Sequence, residues 1–235
     1  MGIFESIFIF LTIALWVGAS ALCLKLIRPP LSFGLLAFLL GWLFLLGTLS
    51  LRGFFRDFST VPPHLLFVVA PPFIVIALLI YTPGLGERLA GLKPSILVGY
   101  QAFRILMEFL LYELVAAKRL PEILTFTGSN DDVLVGLTAP LAILLFLRCG
   151  KENYGALQIW NVCGFLILMN TLIHGIGSVP TTLQIFHTTP PNTLIAEFPW
   201  IFLPGFVAPA ALAGHVLSFR QLSALRRRKL VSSSG

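Results

Sequence analysis

Charge is what this chain has least of. Only 11% of its 235 residues are Asp, Glu, Lys or Arg, against 57% that are hydrophobic. An ordinary soluble domain carries about a quarter charged residues, so a solvated globular surface is argued against, and disorder and collagen with it. Cysteine is scarce too. Cys23, Cys149 and Cys163 show no CxxC spacing and fall in or beside apolar segments, which leaves them as small buried hydrophobes and excludes a disulfide scaffold. GxSxG elbow, P-loop, Rossmann fingerprint and nucleic-acid module are all missing. No lysine lies mid-span to form a Schiff base, which excludes retinal, and no other cofactor is expected. The first residues lack the positive n-region of a signal peptide, so the first apolar stretch reads as a mature helix.

What is present is length in apolar runs. The mean hydropathy is +0.93. A bilayer span needs about 20 apolar residues. Seven stretches meet or approach that: Phe4–Leu24, Leu31–Leu51, Leu65–Tyr81, Ile96–Ala117, Val133–Leu147, Ala156–Ile176 and Trp200–Phe219. The expected fold is therefore an all-α polytopic membrane bundle of seven transmembrane helices. Pro71-Pro72 and Pro204 with Pro209 predict kinks in the third and seventh. Short links make residues 1–225 a single transmembrane domain, with 226–235 a basic tail.

Basic residues set the orientation. Lys25, Arg28, Arg88, Lys93, Arg148, Lys151, Arg220, Arg226, Arg227, Arg228 and Lys229 fall on one side, eleven in all. Arg52, Arg56, Lys118 and Arg119 fall on the other, and Arg104 inside the fourth span completes the 16. The bias places the N-terminus outside and the C-terminus in the cytoplasm. The cluster from Arg226 to Lys229 should also meet anionic lipid headgroups.

Burying an ionisable group mid-membrane costs about 3 kcal/mol on insertion scales. Gln101, Arg104, Glu108 and Tyr112 recur at steps of three, four and four, sharing one face of the fourth span. Arg104 and Glu108 are spaced to neutralise each other, with Tyr112 able to donate to the carboxylate. Asn170 and His174 share a face of the sixth span, beside Thr171, with Asn161 nearer the inner side. Spans four and six are thus expected to meet around a polar site. Asn161 and Asn170 taken alone read as helix-pairing groups.

A second grouping depends on topology. His64, His187, Asp131 and Asp132 fall on the outer side with His174 and Glu197, as a metal site would require. No HExxH or HxH spacing supports it. Asp131 and Asp132 also suit a helix N-terminus at the start of the fifth span. The link from Thr181 to Phe198 contains no Lys or Arg and bears Pro190-Pro191, so it is expected to lie on or fold back into the outer surface.

Two stretches carry a resemblance. One runs from Phe103-Arg104 and Glu108 through Leu120-Pro121, Thr125–Asp132 and Gly136–Pro140; the other takes in Pro191-Asn192, Phe198–Trp200, Leu203-Pro204 and Gly214-His215. Together they resemble a group of uncharacterised small bacterial multi-pass membrane proteins. The resemblance covers roughly the second half of the chain. It implies a bacterial inner-membrane protein and brings no activity with it. Asp132 stands where that group leads one to expect an aromatic, which argues against a special role for it.

The leading expectation is a protein that binds or translocates a small molecule or ion at Arg104 and Glu108. The rivals are a membrane-embedded enzyme for a lipid-like substrate, with Glu108 or Asp131 as acid/base, and a scaffold or accessory subunit.

Overall fold

A computed structural model describes residues 2–147 and 152–233. Arg148, Cys149 and Lys151, used above for orientation and cysteine chemistry, lie outside the described residues, as does the end of the basic tail. The described residues are helical, with no strand among them. In chain order they form α1 (Ile3–Leu26), α2 (Leu31–Leu51), α3 (Leu66–Tyr81), α4 (Leu85–Leu89), α5 (Pro94–Tyr100) and α6 (Phe103–Ala116). Then come α7 (Asp132–Phe146), α8 (Tyr154–Gly177) and α9 (Ala208–Ser233). Among the described residues, four helical stretches are long and apolar enough to cross a membrane: Ile3–Leu26, Leu31–Leu51, Pro94–Ala116 and Tyr154–Gly177. Leu66–Tyr81 and Asp132–Phe146 are apolar but shorter.

Local chemistry sets the boundaries. α1 stops as Ile27 turns extended ahead of Pro29-Pro30. Asn153 begins α8 by accepting a hydrogen bond from the Ala156 N–H on its side-chain oxygen. The expected fourth span runs through α5 and α6, joined by a tighter turn at Gln101-Ala102 whose backbone stays helical and bonds three residues back. The expected seventh span starts as a π-turn, Leu203–Val207, and becomes α-helical only at Ala208. Pro209, which has no N–H to give, is the second residue of α9, directly after this π-turn. α9 then continues through the basic cluster to Ser233, so the described part of the expected tail is helix.

α9 is the central element, packed against α3, α4, α5 and α8. Its polar side chains donate to carbonyls at the ends of neighbouring helices. Arg220 donates to the Leu79, Ile80 and Thr82 carbonyls at 2.5, 2.6 and 2.7 Å. Gln221 donates to those of Leu89 and Leu92 at 2.8 and 3.0 Å. The fastening gives a first prediction: Arg220→Ala should cost roughly 2 kcal/mol, because three carbonyls lose a charged donor. A thermal midpoint in detergent equal to that of the wild type would refute this.

The largest apolar cluster joins α1 to α6 and to the segment before α9. Phe8 stacks on Trp200 with ring centroids 4.6 Å apart, beside Met107, Leu110 and Phe206. α2 holds the same segment from another side. Trp42 Nε1 donates to the Gly205 carbonyl at 2.9 Å and Ser50 Oγ to that of Ala196 at 2.9 Å. Gly205 is required here, since a Cβ would lie 2.3 Å from Leu46 Cδ1.

Candidate functional site

Arg104 is 1% exposed, and its guanidinium does not bond to Glu108. It donates through one terminal nitrogen to Asp132 Oδ1 at 2.8 Å and through the other to His215 Nε2 at 3.1 Å. Because a guanidinium can only donate, His215 Nε2 must accept and Nδ1 must carry the hydrogen. That hydrogen meets Asn161 Oδ1 at 2.8 Å, while Asn161 Nδ2 donates to the His215 carbonyl at 3.1 Å. One chain of hydrogen bonds thus crosses α7, α6, α9 and α8. Gly164 lets His215 in, since a Cβ there would lie 2.7 Å from the ring's Cε1.

Glu108 looks the other way, toward the loop between α6 and α7. Its Oε1 accepts from the Phe126 N–H at 2.7 Å and its Oε2 from Asn130 Nδ2 at 3.0 Å. Both oxygens act as acceptors, as in a carboxylate. Asn130, 2% exposed, also donates to the Leu124 carbonyl and accepts from Thr171 Oγ1 at 2.7 Å and the Asp132 N–H at 3.0 Å. Asn130 therefore satisfies the first turn of α7, whereas Asp131 caps nothing. Asp132 is freed to bond Arg104.

The expected Arg104–Glu108 pair is corrected by this geometry. Residues one turn apart can meet, but each side chain finds a better aligned partner on another segment. Tyr112 does not reach the carboxylate; it is 41% exposed and stacks on Phe126 at 5.4 Å. Gln101 lies in the turn before α6, buried, donating to the Ala211 carbonyl at 3.4 Å. Asn170 bonds the Ser129 carbonyl at 2.7 Å, and Thr171, not Asn170, joins the polar cluster. His174 bonds its own helix at the Asn170 carbonyl and stacks on Phe186 at 4.7 Å.

The metal grouping does not assemble. His64 stacks on Phe54 at 4.3 Å and bonds its carbonyl, Asp132 holds Arg104, and Asp131 and His187 are exposed. Among the described residues, no three His, Cys, Asp or Glu side chains lie close enough to share a metal ion.

Beside this network lies a cavity of about 160 Å3. Arg104, Glu108, Asn130, Asp132 and Thr171 form its polar floor, and α3, α6, α8 and the start of α9 supply apolar walls. Thr181, Leu183, Asn192 and Ile195 of the long link after α8 also line it. That link folds back on α8 through bonds from Ile185 N and Phe186 N to the Gly177 carbonyl, both 2.8 Å. His215, the one histidine assigned no role from sequence, and Asn130 are the residues that reasoning missed. An ionisable group inside the apolar run Trp200–Phe219 was the signal available for the first.

The class defined so far is an all-helical protein with an apolar chamber floored by a buried polar network. Residues 61–223 match a family described as a domain of unknown function (DUF8737), and the chain belongs to that family. The match holds every residue of the network and reaches back to α3, further than the resemblance in the second half of the chain. No curated protein and no solved structure matches.

Proposed function

We propose that this is a seven-span integral membrane protein that holds a small, mostly apolar molecule in the chamber between α3, α6, α8 and α9. Its N-terminus lies outside and the basic end of α9 on the cytoplasmic side, in the bacterial inner membrane that the resemblance implies. α3 and α7, at 16 and 15 residues, span about 24 and 22 Å at 1.5 Å per residue. For α7 the shortfall against a core of about 30 Å is met by the non-helical segment before it. Such backbone is tolerated at depth where protein covers it, and Leu120, Leu124, Thr125 and Asn130 are buried.

One observation carries the binding reading. The cavity wall is mostly apolar, with its charged groups gathered on one floor and Thr181 and Asn192 of the link as further polar groups. Its volume suits one ring or a short chain, since an apolar cavity of about 150 Å3 takes up benzene. An ion path would need polar groups along its length. The scaffold reading draws on a different observation, the saturation of Arg104 and Glu108 by internal partners.

Cavity filling tests the choice. Ala208 lines the chamber, so Ala208→Trp should abolish uptake of toluene by the detergent-solubilised protein while leaving its thermal midpoint within a few degrees. Equal toluene signals from the two proteins, read by saturation-transfer NMR, would overturn the binding reading and leave the scaffold.

A further inference from the structure

The floor's unused hydrogen-bonding capacity is unequal, and this deepens the binding reading on which it rests. Arg104 has one N–H of each terminal nitrogen bonded inside the network and its Nε buried without a partner, and at 1% exposure it turns little of its remaining donor capacity toward the chamber. On the accepting side, Asp132 uses only Oδ1, and its side chain remains 14% exposed. Each Glu108 oxygen takes one donor and keeps a second lone pair. Asn192, 0% exposed and part of the cavity wall, has its Nδ2 bonded to the Gly175 carbonyl at 2.9 Å, while its Oδ1 has no partner. The charges add in the same direction. Arg104 supplies +1 and the two carboxylates supply −2, leaving the floor at −1 when all three are ionised. His215 adds none, because the guanidinium occupies its Nε2 lone pair.

A ligand with an anionic end would meet this excess negative charge, and the spare N–H groups of Arg104 lie on a side chain only 1% exposed, against 14% for that of Asp132. An ammonium end brings three N–H donors and a positive charge to groups that lack both. We infer that the chamber selects small amines with a ring or short apolar body, over neutral alcohols and over carboxylates.

Probes of one body and different heads test this. Full-length protein in a non-ionic detergent would be titrated at pH 7 with benzylamine, benzyl alcohol, benzoate and toluene, with Ala208→Trp as the background for partition into micelles. Benzylamine should bind at least tenfold more tightly than benzoate, with benzyl alcohol between them, a tenfold ratio being about 1.4 kcal/mol. Glu108→Gln, which removes one negative charge, should shrink the amine-to-benzoate ratio about tenfold. If Glu108→Gln does not fold, the wild-type ratio decides alone. Benzoate binding as well as benzylamine, or toluene binding with no discrimination between heads, overturns the amine preference and leaves the apolar chamber standing. Failure of all four probes to show an Ala208→Trp-sensitive signal overturns the chamber reading itself.

Discussion

Arg104→Met should destabilise the protein by about 3–5 kcal/mol, the largest effect expected of any single substitution here. The size follows from what is left behind. Asp132 would keep its carboxylate beside the chamber with its only side-chain hydrogen-bond donor gone. His215, 0% exposed, would lose the donor that fixes its tautomer, with Asn161 still holding the far side of the ring. Each loss strands a buried polar group, which costs more than an average hydrogen bond contributes. The double variant Arg104→Met with Asp132→Leu should recover part of the loss, since removing both charges avoids the unpaired carboxylate. Thermal unfolding in detergent reads both. A single variant within 1 kcal/mol of wild type, or a double variant worse than the single, would show that the ion pair does not hold these helices.

Gly128→Ala is the second. A Cβ at Gly128 would lie 2.3 Å from the Glu122 carbonyl oxygen and 2.7 Å from both Glu122 C and Ile123 Cα. These are backbone atoms, so no side chain can rotate away, and the loop from 120 to 131 must move. That loop carries the Phe126 N–H and the Asn130 amide, the two donors on Glu108. Overpacking of this kind costs about 3 kcal/mol. Binding should fall further than stability, because Glu108 would lose its orientation on the chamber floor. Retention of both the thermal midpoint and benzylamine binding would refute the placement of this loop.

How much of this was legible in the sequence depended on the range of the interaction. α2 begins and ends where the apolar run does, and α1 and α8 fall within two residues of expectation at each end. Each is a long, predominantly apolar run bounded by turn or capping residues, so local chemistry suffices. The tightening of the helix at Gln101 carried no local signal. A Gln inside an apolar run reads as a polar face position, and its surroundings on α9 come only from the fold: it donates to the Ala211 carbonyl, and a Gly214 Cβ would sit 2.7 Å from its amide nitrogen. Arg104 and Glu108 stood out as costly residues, but their partners did not. Asp132 and His215 lie 28 and 111 positions from Arg104, and no periodicity links positions that far apart. Asp132 was discounted because its type departed from expectation, whereas its place at the head of α7 decides its role.

The stacking of Phe8 on Trp200 bears on how the protein is made. During translation α1 leaves the ribosome long before Trp200 exists. At about 5–20 residues per second the intervening chain takes on the order of ten seconds or more to appear. Through that interval the α1 face bearing Phe8, Leu11 and Leu15 has earlier helices such as α2 and α6 to pack on, but not Trp200. Completion of this cluster is thereby tied to the last part of synthesis: a ribosome stalled before codon 200 would hold α1 without its Trp200 contact.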